Sequence, residues 1–224
     1  MASHPRVIVV ANGKGGVGKT TTVMALSGIL GEKYQVLAVD ADSQGSFSWW
    51  VGRNTTDRLQ DNPKGDRGLG FDLSQETNPA LLSNLRQLEG YDLVVVDTPP
   101  ALHSETLAAV ISSADYLVLP TPCAPMDLAA LIETVRSVVI PAGIPHRVLL
   151  TKVDSRSLGD ALEAQNTLLE LGISACHAFV RAYKAHERAA LEGVPISQWR
   201  GKNAREAEAD YRRVANEIQR DWRK

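Results

Sequence analysis

The sequence predicts an α/β fold in which a mostly parallel sheet carries helices on both faces. Short apolar runs without polar–apolar alternation recur along the chain, as in strands that are buried on both faces. Helical stretches separate these runs, which is the order expected of a parallel sheet with crossover helices. The 224 residues are 44% hydrophobic and 22% charged, a composition that suits one domain with a sizeable core.

Five runs rich in valine, leucine or isoleucine predict the strands. In chain order they are Val7–Val10, Val36–Val39, Leu93–Val96, Tyr116–Leu119 and Val148–Leu150. The helices are predicted over residues 19–31, 78–89, 103–113, 126–138 and 158–171.

The remaining segments fit a single domain over residues 1–224. Residues 53–70 are polar and contain glycine, which predicts a surface excursion. A last helix is predicted over residues 203–222, where apolar residues recur at steps of three or four and form one stripe that should dock on the core. Its members are Ala207, Tyr211, Val214, Ile218 and Trp222. We find no internal repeat, low-complexity segment or linker in the sequence.

A phosphate-binding loop follows the first strand, with the sequence Gly13-Lys14-Gly15-Gly16-Val17-Gly18-Lys19-Thr20. It lies between a predicted strand and a predicted helix, which is the context that a P-loop requires. Glycines let backbone N–H groups curl around phosphates, and the helix N-terminus adds the positive end of its dipole. Lys19 is expected to reach the β- and γ-phosphates of ATP, and the Thr20 hydroxyl to bind Mg²⁺. The expected domain is therefore a P-loop NTPase with ATP and Mg²⁺ as cofactors.

Three aspartates lie at the ends of predicted strands beside this loop. Asp40 and Asp42 follow the second strand, and Asp97 ends an apolar strand in the Walker B pattern. Carboxylates at this edge can support Mg²⁺ or position the attacking water. Asp40 and Asp97 join Thr20 as candidate metal residues, and either Asp40 or Asp42 could orient the water. A helix-capping role is the alternative for each aspartate taken alone.

These motifs resemble those of the ParA/MinD superfamily of deviant Walker A ATPases. The resemblance lies in Lys14 within the loop that ends at Thr21, in Asp40-Ala41-Asp42-Ser43-Gln44-Gly45, in Asp97-Thr98-Pro99-Pro100 and in Pro120–Asp127. Ser43 departs from the pattern, because the family usually has proline there. The similarity covers most of the chain, and the length is similar to that of small partition ATPases without an N-terminal helix-turn-helix domain.

The resemblance implies a homodimer that sandwiches two ATP molecules, with Lys14 reaching the partner's phosphates. It also implies that Asp42 orients the hydrolytic water and that Asp40 lies near Mg²⁺. The segments around Lys152 and Arg181 would lie near the adenine, although a plain surface lysine is an equal reading of Lys152. The implied function is slow, partner-stimulated ATP hydrolysis that positions a cargo through an adaptor of ParB type. A plasmid, a chromosome region and a large protein body such as a carboxysome are all possible cargoes.

The C-terminal part of the chain has the charge expected of a surface that binds double-stranded DNA without sequence specificity. Residues 181–224 carry 11 Lys/Arg and 7 Asp/Glu, a balance of +4, whereas residues 1–180 have a balance of −6. Arg181, Lys184 and Arg188 are three and four residues apart, so a helix would place them on one face. The candidate phosphate contacts are these three with Arg200, Lys202 and Arg205. Acidic residues lie between them, so a merely solvated face is the alternative.

Other functional classes fit the sequence less well. A membrane-cycling ATPase like MinD needs a basic amphipathic tail, and the last helix has charges of both signs, so no membrane association is expected. Iron–sulfur relatives need paired cysteines in set motifs, which Cys123 and Cys176 do not form. Two cysteines also make no disulfide framework, so the expected location is the cytoplasm, on the nucleoid. For small-molecule ligases with related P-loops, no second substrate site is evident.

Overall fold

Six parallel strands form one sheet in the computed structural model, which describes residues 4–45, 47–50, 68–101 and 104–222. The strand order is β3-β2-β4-β1-β5-β6. The strands are β1 (Arg6–Val10), β2 (Val36–Asp40), β3 (Asp72–Gln75), β4 (Leu93–Asp97), β5 (Tyr116–Thr121) and β6 (His146–Leu150). All five predicted strands are present, and the predicted α/β class is confirmed.

The strand missing from the prediction is β3, at the edge of the sheet. Its sequence mixes an aspartate, a serine and a glutamine with one leucine, and most of it is exposed. It pairs with β2 from Leu37↔Asp72 to Asp40↔Gln75. An edge strand with little buried surface carries no apolar run, so periodicity could not reveal it. The predicted surface excursion at residues 53–70 lies mostly outside the described residues.

Helices cover both faces of the sheet, as predicted. They are α1 (Lys19–Leu30), α2 (Pro79–Leu82), α3 (Glu105–Ser113), α4 (Pro125–Thr134), α5 (Leu158–Glu170), α6 (Lys184–Leu191) and α7 (Ala204–Asp221), and residues 47–50 are also helical.

Two predicted helices are less regular than the pattern suggested. The one expected over residues 78–89 breaks into α2 and a 3₁₀ turn at Leu85–Gln87. Helix α4 continues through a π-helical turn at Val135–Val139 and a last turn at Ile140–Ala142. Pro141 has no N–H to donate, which favours a change of hydrogen-bond register at this point.

The strands bury side chains on both faces, which explains why their sequences do not alternate. Ile8 and Val10 pack with α1, α6 and α7, whereas Val7 and Val9 pack with α3, α4 and α5. The predicted apolar stripe is buried against the core at Ala207, Tyr211, Val214 and Ile218, whereas Trp222, just after α7, is only partly buried. The Tyr211 hydroxyl lies 3.1 Å from the Thr22 hydroxyl of α1. Within the described residues, no helix has the length and apolar character needed to span a bilayer.

Candidate nucleotide site

The phosphate-binding loop leaves the C-terminal end of β1 and leads directly into α1. Gly16 and Gly18 have φ angles of 71° and 98°, which residues with a side chain rarely adopt. Gly18 caps α1 without a side-chain hydrogen bond, and the first turn of the helix contains no acidic residue. The first N–H groups of α1 and its positive dipole end therefore remain available to phosphates.

The loop lies at the rim of a cavity of about 850 Å³, which is a normal size for a ligand site. Its lining includes Gly15, Gly16, Gly18, Lys19, Thr20 and Thr21 from the loop and α1. Val17 is buried instead, and its carbonyl accepts a 2.8 Å hydrogen bond from the Thr151 hydroxyl at the end of β6. Gly13 is half-buried at the start of the loop.

Lys19 is held under the loop with its ammonium group buried. Its Nζ donates a 2.8 Å hydrogen bond to the Lys14 carbonyl, and only 7% of the residue is exposed. Burial lowers the pKa of Lys19, while the charges of Asp97 and Asp42 oppose that shift. A cation placed under bare N–H groups in this way is suited to bind the terminal phosphates of a nucleotide.

Thr20 and Asp97 form the pair that fits a magnesium ion. The Thr20 hydroxyl donates to Asp97 Oδ2 at 2.7 Å, while Asp97 Oδ1 is buried and has no hydrogen-bond partner in the structure. Burial raises the pKa of Asp97 to about 7, although the Thr20 hydrogen bond acts against this. An orphaned carboxylate oxygen next to a hydroxyl is the oxygen donor set that Mg²⁺ prefers, so the residues fit the ion.

The two aspartates after β2 occupy different positions. Asp40 is fully buried, and its carboxylate accepts bonds from the Asp42 N–H and from the N–H and hydroxyl of Ser48, at 2.8–3.1 Å. Asp42 lines the cavity, whereas Asp40 is absent from the described lining. One Asp42 oxygen accepts the Gln44 N–H at 3.0 Å. The arrangement places Asp42 at the cavity, while Asp40 holds the turn that carries Asp42.

Lys14 points away from the loop that contains it. Its Nζ makes an ion pair with Asp127 Oδ1 at 2.8 Å and donates a hydrogen bond to the Met126 carbonyl at 3.3 Å. Asp127 lies in the first turn of α4, and the Lys14 side chain is 41% exposed. Sequence reasoning did not identify Asp127 as a partner, because a lysine–carboxylate pair 113 residues apart leaves no local pattern.

The far side of the cavity is formed by the segment after β6 and by the chain that leads into α6. Lys152 lines the cavity in a left-handed conformation, with φ of 55°. Arg181 also lines it and donates to the fully buried Asp210 of α7 through its backbone N–H, Nε and Nη2. The Arg181 guanidinium stacks over the Tyr183 ring at 4.9 Å. Sequence analysis missed Asp210, which looked like one of the solvated acids of the last helix.

The pairing of Arg181 corrects one expectation about the basic residues. Arg181 precedes α6 and is bound to Asp210, so it does not share a helix face with Lys184 and Arg188. Lys184 and Arg188 are exposed on α6, and Lys184 also touches the cavity. The exposed residues Arg200, Lys202 and Arg205 lie just before α7 and in its first turn. Apart from Arg181, the candidate DNA residues have no ion pair with a described residue.

Comparison with known proteins bears on the family to which the chain belongs. A family model described as the CobQ/CobB/MinD/ParA nucleotide binding domain matches residues 8–210. The chain is 66% identical over 223 residues to the maintenance of carboxysome distribution protein A of Gloeobacter kilaueensis, covering 100% of this chain and 98% of that relative. It is 34% identical over 189 residues to the chromosome-partitioning ATPase Soj of Thermus thermophilus, covering 71% of this chain and 75% of that relative.

Among solved structures, a Cyanothece McdA–ATP complex superposes with a TM-score of 0.73 at 18% identity, over 97% of both chains. The chain belongs to the CobQ/CobB/MinD/ParA family of nucleotide-binding domains, and its resemblance to ParA and MinD is confirmed.

Proposed function

We propose that this protein is an ATP-hydrolysing positioning ATPase that binds DNA as an ATP-sandwich dimer and distributes carboxysomes through an adaptor protein. The observation that carries the proposal is the placement of Lys14. A lysine inside a phosphate-binding loop reaches out of its own site and lies partly exposed on the protein surface. Such a cation can serve the phosphates of a second protomer, which would couple dimer formation to the bound nucleotide.

The geometry supports ATP hydrolysis within each site. Lys19 and the N–H groups of α1 would hold the phosphates, and Thr20 with Asp97 would hold Mg²⁺, whose charge would help to neutralise the triphosphate. Asp42 faces the cavity from a turn fixed by Asp40, so it is the better placed of the two to orient the attacking water. ATP hydrolysis would be slow in the monomer, because the monomer lacks the Lys14 of a second protomer.

The charge distribution supports binding to DNA. Arg188, Arg200, Lys202 and Arg205 are exposed on or beside two adjacent helices, and they carry no base-reading motif. Contacts of this kind bind phosphates without regard to sequence. One protomer offers few of them, and a dimer doubles the number on one body, so nucleotide state could control the affinity.

The relatives support the carboxysome as the cargo. The Gloeobacter kilaueensis relative is named for maintenance of carboxysome distribution and is similar over the whole of this chain. A cargo as large as a carboxysome needs an adaptor to stimulate hydrolysis and release the dimer from DNA, and a protein with the role of ParB would suit. The expected location is therefore the cytoplasm, on the nucleoid.

The membrane-cycling alternative has less support. The apolar stripe of α7 packs against α1 and the sheet, with Tyr211, Val214 and Ile218 buried. A helix that uses its apolar side in this way cannot insert that side into a lipid surface without leaving the core.

Binding of a random duplex DNA in the presence of ATP, ADP or no nucleotide tests the proposal. We expect tight binding with ATP alone, a steep loss with added salt and no preference among duplex sequences. Liposome co-sedimentation with ATP provides the control for a membrane role. Equal DNA binding in all three nucleotide states, or ATP-dependent pelleting with liposomes, would contradict the proposal.

A further inference from the structure

Helix α5 carries a line of leucines that nothing in the described structure covers. Leu158, Leu162 and Leu169 are 41%, 56% and 74% exposed. At 100° per residue they lie within about 40° of one another on the helix and extend over about 16 Å of its length. Single exposed leucines are ordinary, but three aligned on one helix face form an apolar patch of the kind that marks an interaction site. We call these three residues the leucine stripe.

The helix that carries the stripe is firmly attached to the domain. Ala161, Ala164 and Leu168 bury its inner side in the core. Gln165 Nε2 donates to the carbonyls of Cys176 and His177 at 2.7 and 3.1 Å. The stripe is therefore presented on a rigid element, which lowers the entropy that a partner must offset on binding.

The charged residues of helix α5 are all acidic. Helix α5 contains Asp160, Glu163 and Glu170, which are exposed, and no lysine or arginine. None of the three carboxylates takes part in an ion pair with another described residue. At 100° per residue, Glu163 and Glu170 lie on one side of the stripe, about 100–120° around the helix from its centre, whereas Asp160 lies on the opposite side of the helix. Glu163 and Glu170 therefore form the acidic flank of the stripe.

The exposed leucines and the neighbouring carboxylates together favour one kind of binding partner. Duplex DNA and anionic lipid would both be repelled by the carboxylates. A second copy of α5 would bring its own Glu163 and Glu170 beside these carboxylates, so self-association through this face is also disfavoured. A helix with an apolar side and a lysine- or arginine-rich flank complements both features, since the leucines receive its apolar side and the carboxylates its cations.

We infer that the leucine stripe and its acidic flank form a docking site for a basic amphipathic helical segment of a partner protein. The inference rests on the proposed function in one respect, that an adaptor acts on this ATPase. The stripe lies on the outer surface of α5, and none of its leucines lines the nucleotide cavity within the described residues. A partner could therefore remain bound through both the ATP and the ADP state.

A labelled peptide of leucine and lysine, patterned as an amphipathic helix, tests the site by fluorescence anisotropy with the full chain and Mg-ATP. The main variant is Leu162→Ser with Leu169→Ser. The control is Leu81→Ser, because Leu81 on α2 is as exposed as Leu162, at 56%. A peptide of the same composition in shuffled order controls for charge alone.

We expect the double serine variant to bind the amphipathic peptide about tenfold more weakly or worse, and Leu81→Ser to bind it normally. Glu163→Gln with Glu170→Gln should weaken binding severalfold and flatten its salt dependence. Basal ATP turnover should stay unchanged in every variant, which separates a failure of this site from a failure of the ATPase proposal.

Three results would overturn the docking site. The first is equal affinity of the wild type and the double serine variant, or of the amphipathic and shuffled peptides. The second is leucine-dependent pelleting with vesicles of phosphatidylserine and phosphatidylcholine, which would assign the stripe to a membrane. The third is self-association in light scattering that the double serine variant abolishes, which would assign it to a second copy of the chain.

Discussion

Lys14 has two competing partners in the proposed cycle, Asp127 of its own chain and the phosphates of a second protomer. The ion pair with Asp127 is half-exposed, and such pairs are worth up to about 1 kcal/mol. We predict that Asp127→Ala frees Lys14 and lets the ATP dimer form at severalfold lower protein concentration, as measured by light scattering. Asp154→Ala is a matched control, since it removes an exposed ion pair with Arg156 at another place.

Lys14→Ala should have the opposite effect and leave ATP binding by the monomer measurable while it impairs dimer formation and turnover. A normal dimer and unchanged hydrolysis in Lys14→Ala would show that this lysine does not act on a partner.

Asp97 makes the stability of the nucleotide-free protein depend on pH. Its pKa is about 7 in the folded chain and near 3.8 when unfolded, so between these values the folded state binds one proton more. Stability should therefore fall as pH rises from 4 to 7, by about 1.4 kcal/mol per pH unit from this group, and level off above 7. Thermal unfolding without Mg²⁺ should show this slope in the wild type and a flatter one in Asp97→Asn.

The difference between the pH profiles of the wild type and Asp97→Asn isolates the contribution of Asp97 from that of other titrating groups. Burial lowers the pKa of His186, which acts in the opposite direction because stability then rises with pH. That contribution is common to both proteins and cancels in their difference. Identical pH profiles for the wild type and Asp97→Asn would contradict the prediction.

At the level of elements, α7 joins the two sides of the nucleotide cavity. Tyr211 meets Thr22 of the helix that follows the phosphate loop, and its neighbour Asp210 holds Arg181 on the opposite wall. We predict that Asp210→Asn weakens ATP binding in calorimetry and lowers stability by about 1–3 kcal/mol, since the buried group loses its charge-assisted hydrogen bonds. Asn216→Ala, on the exposed side of the same helix, should change neither quantity, and unaltered ATP affinity in Asp210→Asn would refute the role.

The elements differ in how far sequence could predict them. Strands buried on both faces, such as Leu93–Val96, are apolar throughout and were found. The edge strand β3 and the broken helix after Asn78 have mixed sequences whose structure depends on neighbours. The phosphate loop was recognisable because its chemistry requires a contiguous motif. The roles of Asp127 and Asp210 were not recognisable, because their ion pairs with Lys14 and Arg181 join parts of the sequence that only folding brings together.

At the level of the whole molecule, positive charge collects around α6 and the start of α7, while the rest of the chain is acidic. We predict that Arg188→Glu with Arg205→Glu weakens binding to random duplex DNA and leaves ATP-driven dimerisation intact. When the logarithm of the DNA-binding constant is plotted against the logarithm of the salt concentration, removal of one phosphate-binding cation should make the slope shallower by about 0.9. Arg156→Glu is the control, because Arg156 is 88% exposed but lies in the loop before α5.

Wild-type DNA affinity in the double glutamate variant would remove this surface from the proposal. A loss of dimerisation in the same variant would instead mean that the two arginines support the protein–protein interface.

The Lys14–Asp127 pair has a consequence for timing. In the proposed cycle both protomers would have to break it before an ATP dimer closes, so its cost would enter the assembly step twice. A protomer released from its cargo would then remain single for a while after it binds fresh ATP. During that interval it would diffuse, and a longer delay would let it return to DNA farther from the cargo. The strength of this ion pair would in this way influence how far from its cargo a released protomer binds DNA again.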